Sequence, residues 1–147
     1  MTWKCMFAEY IHPFIKVPLF PINSLYDSWS LPNILGITCG SGGSLANCNQ
    51  GQMEVINEYK KNTSSVLQSV AKNQKNGCWA PACSDHVYST GVHFYSTSFE
   101  VPEHTDNMLA TALWNWIQAK SDTNAHIDTV SWPDNRPCSA VHLIAED

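Results

Sequence analysis

The sequence predicts an α/β chain: parallel strands joined by crossover helices. Three observations predict it. Residues 17–24 form an almost continuous apolar run with a polar end, the pattern of a strand buried on both faces. A long amphipathic stretch follows at residues 52–73, and then a second short apolar run, Cys78-Trp79-Ala80-Pro81-Ala82-Cys83. A helix of that length between two strands is a crossover connection, which makes the strands parallel and places them side by side or nearly so in one sheet.

Element by element, the first run contains Pro18 and Pro21, which remove ladder donors and weaken it as a central strand. Residues 28–35 suit a short helix, and residues 36–49 a glycine-rich loop. In the long helix, Met53, Ile56, Tyr59, Val66, Leu67 and Val70 recur at helical spacing, and Gly77 ends the region. Lys60 and Lys61 on this helix read as a solvated face. A polar loop is expected to about residue 103. A last helix near residues 107–120 carries Leu109, Leu113, Trp116 and Ile117 on one face. The proline-punctuated tail from Ile127 reads as irregular.

Composition narrows the function classes. The 147 residues are 44% hydrophobic and 14% charged, with six Trp, a net charge of −5 and Arg136 as the single arginine. Nucleic-acid binding needs clustered Lys and Arg, so no nucleic-acid partner is expected. The longest apolar region, residues 14–22, is broken by Lys16, Pro18 and Pro21 and falls short of the roughly 18 residues of a membrane span. Six cysteines, at 5, 39, 48, 78, 83 and 138, suit an oxidised, secreted domain, and the sequon at Asn62 fits glycosylation on that route. Residues 1–10 do not read as a signal peptide, so either the chain is cytosolic with six thiols or residues preceding Met1 are missing; the second is expected, because it accounts for both facts. Cys39 and Cys48 bracket the glycine-rich loop and are expected to form a local disulfide. The other four cysteines allow three connectivities.

In open α/β sheets, ligand sites lie beyond the carboxyl ends of the strands. Asp27 stands just past the first predicted strand and His86 just past the second. Neighbouring strands are about 4.8 Å apart, so the two side chains can meet. A carboxylate on one imidazole nitrogen fixes the tautomer and leaves the other nitrogen to accept a proton, the base-and-orienter pair of a nucleophilic hydrolase. Acid before histidine is the α/β-hydrolase chain order, which requires a nucleophile upstream. Ser24 has no flanking glycines. Ser41, in Gly40-Ser41-Gly42-Gly43, follows Asp27 and has Cys39 where the elbow's first glycine belongs, so a surface loop is expected there.

Four blocks resemble the family of pectin acetylesterases and the Wnt-deacylating esterase Notum. They are Lys4-Cys5-Met6-Phe7 with Tyr10, Pro13 and Val17-Pro18-Leu19-Phe20; Asn23-Ser24-Leu25-Tyr26-Asp27-Ser28-Trp29; Ala80-Pro81-Ala82-Cys83-Ser84-Asp85-His86; and Leu113-Trp114-Asn115-Trp116 with Ile127-Asp128, Trp132-Pro133 and Pro137-Cys138. They occur in family order over nearly the whole chain. The resemblance implies the C-terminal part of an α/β-hydrolase-like fold over residues 1–147, with Asp27 as triad acid and His86 as general base. The nucleophile and oxyanion hole would belong to an N-terminal half, or a partner chain, outside these residues. It further implies hydrolysis of carboxylic esters on an acylated polysaccharide or an acylated protein, in a secreted enzyme that needs no cofactor. The family tail usually carries several cysteines; here Cys138 stands alone after Asp128. Trp29, two residues after the acid, is expected to shape the substrate pocket or buttress the acid loop, whereas Trp114 and Trp116 read as core and rim of the last helix. The C-x4-C-x2-H spacing of Cys78, Cys83 and His86 does not match structural zinc, and no metal site is expected. Of the remaining histidines, 93, 104, 126 and 142 read as solvated or locally bonded. The rival reading is a non-catalytic remnant, or a structural or carbohydrate-binding subunit of a larger assembly.

Overall fold

The computed structural model describes residues 2–40, 44–88, 92–96, 100–120 and 124–135. Its elements run in order as a 3₁₀ turn (Thr2–Met6), α1 (Ala8–Ile11), a second 3₁₀ turn (His12–Phe14), α2 (Ser30–Asn33), α3 (Gln50–Ala71), β1 (Cys78–Ala80), a third 3₁₀ turn (Val92–Tyr95), α4 (Leu109–Ile117) and β2 (Ala125–Ile127). The predicted loop at Ser41 and the pairing of Cys138 lie outside the described residues, as do Arg136 and His142.

β1 and β2 pair in parallel, with Trp79 opposite His126. The first predicted strand is reduced to a single parallel bridge between Ile22 and Trp79. The two prolines explain the reduction. Pro21 can still accept from the Trp79 amide (3.0 Å), and the Leu19 carbonyl accepts from Gly77 (2.8 Å), but neither proline can donate to a ladder. On the far side of this segment, no backbone hydrogen bond engages the N–H or C=O of Phe20 or Ile22 among the described residues. The spatial order is therefore the Ile22 segment, β1, β2, all parallel, with the Ile22 side left as an open edge. This is a small parallel sheet with helices, an α/β arrangement.

The described tail beyond Ile127 is irregular, as expected, but a short strand that the sequence did not show precedes it. Residues 125–127 add β2 to β1, the Asp128 amide continues the pairing to the Ala80 carbonyl (2.9 Å), and His126 is buried instead of solvated. Gly77 sits where the strands crowd. A Cβ there would lie 2.5 Å from the Phe20 ring and 2.9 Å from the Asn124 carbonyl oxygen, so only glycine fits without displacement.

α3 begins two residues before its periodicity does, because Asn49 and Gln52 close a capping box. The Gln52 amide donates to the Asn49 side chain (3.0 Å), and the Asn49 amide donates to the Gln52 side chain (2.9 Å). Its inner face places Ile56 and Leu67 among Leu25, Tyr26, Leu31, Leu45, Cys78 and Ala80. A second cluster gathers Trp79, Tyr88, Val101, Leu109 and Ala112 on the other side of β1. Lys60, expected on a solvated face, instead reaches the turn after β2. Its ammonium donates to the carbonyls of Thr129 (3.3 Å) and Val130 (2.6 Å) and to Ser131 Oγ (2.6 Å). Partial burial lowers its pKa, against the opposing pull of Asp128.

The opposite wall of α3 faces a groove of about 900 Å³, bounded by Phe7, Ile22, Val55, Tyr59, Asn62 and Val66. Apolar side chains of the N-terminal turns, among them Met6, Phe7 and Phe14, are exposed nearby in the chain. Among the described residues, no helix is long and apolar enough to cross a membrane.

Candidate active site

Asp27 leaves the first parallel segment at its carboxyl end, where the chain turns into α2. The turn is built around its carboxylate: Oδ1 accepts the backbone amides of Trp29 (3.1 Å) and Ser30 (2.6 Å), an Asx-type arrangement at a helix start. The second oxygen, Oδ2, lies 2.7 Å from Nδ1 of His86. An ionised carboxylate can only accept, so Nδ1 carries the proton. Asp27 is 1% exposed, whereas the His86 side chain is 43% exposed. Among the described residues, Nε2 has no hydrogen-bond partner. The geometry thus presents a tautomerically fixed imidazole with its basic nitrogen available.

The segment carrying His86 is pinned at several points. The Leu25 amide donates to the Pro81 carbonyl (2.9 Å), and the Ser28 amide to the Asp85 carbonyl (3.1 Å). Ser24 Oγ donates to the Cys83 carbonyl and accepts from the Tyr26 amide (3.1 Å), a structural use of this serine on the buried side of the turn. The Ala82 peptide is held on both sides: its amide donates to Asp128 Oδ2 (3.2 Å), and its carbonyl accepts from Asn135 Nδ2 (2.6 Å). Immediately after His86, Val87 adopts φ 65°, a left-handed conformation that is rare for a β-branched residue. The reversal lets Tyr88 return to the interior against Trp79 (ring centroids 5.4 Å apart), while His86 stays at the surface. Burial, reinforced by Asp85 and Asp27, pushes the Tyr88 hydroxyl well above the ordinary tyrosine range, so it remains protonated. Asp128, Asn135, Ser24 and Tyr88 were not singled out from sequence as site-forming residues. The Ile127-Asp128 block pointed to Asp128 and the Asn23–Trp29 block contains Ser24, whereas no local pattern marks Asn135 or Tyr88.

Trp29, the sequence candidate for the pocket, is half-exposed and lies over the imidazole, with ring centroids 5.9 Å apart and planes at 23°. Cys39 and Cys48 form a disulfide (S–S 2.00 Å) that closes the glycine-rich loop. Cys83 is also disulfide-bonded. Cys78 is a buried free thiol, so none of the three full pairings of the other four cysteines stands, since each uses it; burial raises its pKa to about 11. Among the described residues, no group of three His, Cys, Asp or Glu side chains is placed to hold a metal. Asn62 lies within α3, exposed on the wall of the groove and away from the Asp27–His86 contact.

A buried carboxylate bonded to an exposed imidazole, carried just beyond the carboxyl ends of the parallel Ile22 segment and β1, is what the fold and the site define together. The family model described as pectinacetylesterase matches residues 1–139, and the chain belongs to that family. Pectin acetylesterases 7 and 11 of Arabidopsis thaliana are each 26% identical to it over 145 residues, covering 93% of this chain and 37% of their own length. Pectin acetylesterase 4 of the same plant is 22% identical over 123 residues, covering 77% of this chain and 29% of its own. The chain thus spans about 29–37% of the length of these relatives.

Proposed function

We propose that these 147 residues supply the acid and the base of a serine carboxylesterase that removes acetyl groups from an acylated polysaccharide. The observation that carries the reading is the 2.7 Å contact between a buried Asp27 carboxylate and Nδ1 of a surface-accessible His86. His86 Nε2 takes the proton of an attacking serine and returns it to the leaving alcohol. Asp27 holds the imidazole in the correct tautomer and stabilises its cation. The serine and the oxyanion hole belong to polypeptide outside residues 1–147, because this sequence holds no glycine-flanked serine upstream of the acid. In this reading residues 1–147 are the C-terminal portion of a larger α/β-hydrolase-like unit, and the open edge at Phe20 and Ile22 is where its next parallel strand pairs. The apolar groove beside α3 receives the side chains of that half. Disulfides at Cys39–Cys48 and at Cys83 fit a secreted enzyme. A glycan on Asn62 and a polypeptide seated in the groove exclude each other, and the mass of Asn62-containing peptides from native material decides between them.

The test is kinetic. The chain alone is inactive on 4-nitrophenyl acetate and acetylated pectin. Joined to a serine-bearing portion of the family fold, it releases acetate, and Asp27→Asn lowers turnover by about 10⁴-fold while leaving the hydrogen-bonded turn intact. Near-normal turnover in that variant refutes the assignment of Asp27. Failure of every such combination to release acetate favours a non-catalytic subunit.

A further inference from the structure

One hydrogen bond does not fix a ring. The contact from Nδ1 to Asp27 Oδ2 and the Cβ–Cγ bond hold adjacent atoms on one side of the imidazole, and among the described residues no hydrogen bond holds the far edge that carries Nε2. A second restraint must lie against a face of the imidazole. Among the described residues, the aromatic ring stacked on it is the indole of Trp29, at 5.9 Å and 23°, within the range of offset aromatic stacking.

The backbone of Trp29 is itself fixed at both ends. Its amide donates to Asp27 Oδ1 (3.1 Å), and its carbonyl accepts from the Asn33 amide (3.1 Å) and the Asn33 side chain (2.7 Å). The backbone beside His86 is equally constrained: its amide donates to Asp85 Oδ1 (2.7 Å), and Val87 turns the chain away at φ 65°. Two rigid turns therefore bring an indole against an imidazole at the surface. Burial does not account for the indole's position, because Trp29 is 51% exposed.

We propose that Trp29 is a positioning residue for His86: its amide orients the acid, and its indole plate restricts movement of the imidazole edge that carries Nε2. The proposal rests on the reading of Asp27 and His86 as a catalytic pair, and the two functions of Trp29 are separable. Trp29→Ala keeps the amide and removes the plate. Trp29→Phe keeps both an amide and an aromatic face.

The experiment follows the imidazole directly and needs no serine. Dilute chain labelled with ¹⁵N-histidine is compared with Trp29→Ala, Trp29→Phe and Asp27→Asn by long-range proton–nitrogen NMR, reading the tautomer of His86 and the rate at which its Nδ1 proton exchanges with water. Trp29→Ala speeds that exchange by roughly 2- to 10-fold, the factor an aromatic pair supports. Trp29→Phe restores the slow rate, and the Ser30 amide stays protected in both. In Asp27→Asn the protected proton is lost. An unchanged exchange rate in Trp29→Ala beside a lost proton in Asp27→Asn overturns the role of Trp29 and leaves the pair standing. Loss of Ser30 protection in Trp29→Ala also overturns it, because the effect then runs through the acid turn. A His86 signal indifferent to Asp27→Asn overturns the pair itself.

Discussion

The acid–base corner and the outer wall of α3 are finished to different degrees. Around Asp27 both carboxylate oxygens have partners, two turns are tied by backbone hydrogen bonds, and the Ala82 peptide is clamped from both sides. A few residues away, the Phe20 and Ile22 edge has no backbone partner among the described residues, and the groove beside it is lined by side chains such as Ile22, Val55 and Val66. The Asp27 carboxylate is satisfied by groups close to the strand ends. The wall leaves apolar side chains such as Val55 lining an open groove. A chain can therefore hold an ordered carboxylate–imidazole pair beside an open apolar wall, because polar satisfaction is local and apolar burial is collective.

The largest effect that bears on this comparison is expected at two adjacent residues of α3. Ile56 is fully buried against the inner core, and Val55 is 43% exposed on the groove side. Ile56→Ala removes packed methyl groups and costs about 2–5 kcal/mol of stability. Val55→Ala changes stability by about 0.5 kcal/mol or less. Urea unfolding reads both values. The open wall also makes the isolated chain associate as its concentration rises, and Val55→Lys suppresses that association in sedimentation or light-scattering measurements. Equal destabilisation at the two positions would mean that the groove side is already covered.

Lys60 comes next, because it joins α3 to the turn that follows β2. Lys60→Met keeps the aliphatic stem and leaves the acceptors at Thr129, Val130 and Ser131 to water. Hydrogen bonds from a charged donor contribute about 1.5–3 kcal/mol each when desolvated, and this site is only partly buried, so a total loss of about 1–2 kcal/mol is expected. The same variant loosens the Trp132 amide, which donates to Tyr26 Oη (3.0 Å), and faster hydrogen exchange there reports it. An unchanged Trp132 exchange rate would remove Lys60 from the support of the Tyr26–Asp27 turn.

How much of this was legible in the sequence follows the same division. α3 could be read from its 3.6-residue period; its start moved two residues earlier because the Asn49–Gln52 box lies before the first apolar position, and its end fell two residues short of the expected one, at Ala71. The meeting of Asp27 and His86 was legible because both stand just beyond the ends of parallel segments, where topology alone makes them neighbours. β2 was not, since three residues with a histidine in the middle carry no period; the strand exists because β1 offers it a ladder. Residues 84–103 read as a polar loop, yet Tyr88 and Val101 are buried, one returned to the core by the turn at Val87 and the other held near the Glu100–Met108 bridge. The Trp29 stack depends on a side-chain rotamer, which neither spacing nor composition encodes.

The smallest effect expected is a pH dependence centred on His126, which is 5% exposed in β2 opposite Trp79. Burial lowers its pKa below that of an exposed histidine, because the charged form loses water. The unfolded chain then binds a proton more tightly than the folded one, so protonation favours unfolding. The full contribution is present above about pH 6.5 and is lost progressively as the pH falls below that value, until the folded-state pKa is reached. Urea midpoints measured from pH 7.5 to 5 should therefore decline, and His126→Phe, which cannot titrate, should flatten that part of the decline. The difference between the wild-type curve and the His126→Phe curve isolates the β2 contribution. A slope unchanged by the substitution would remove His126 from the acid sensitivity.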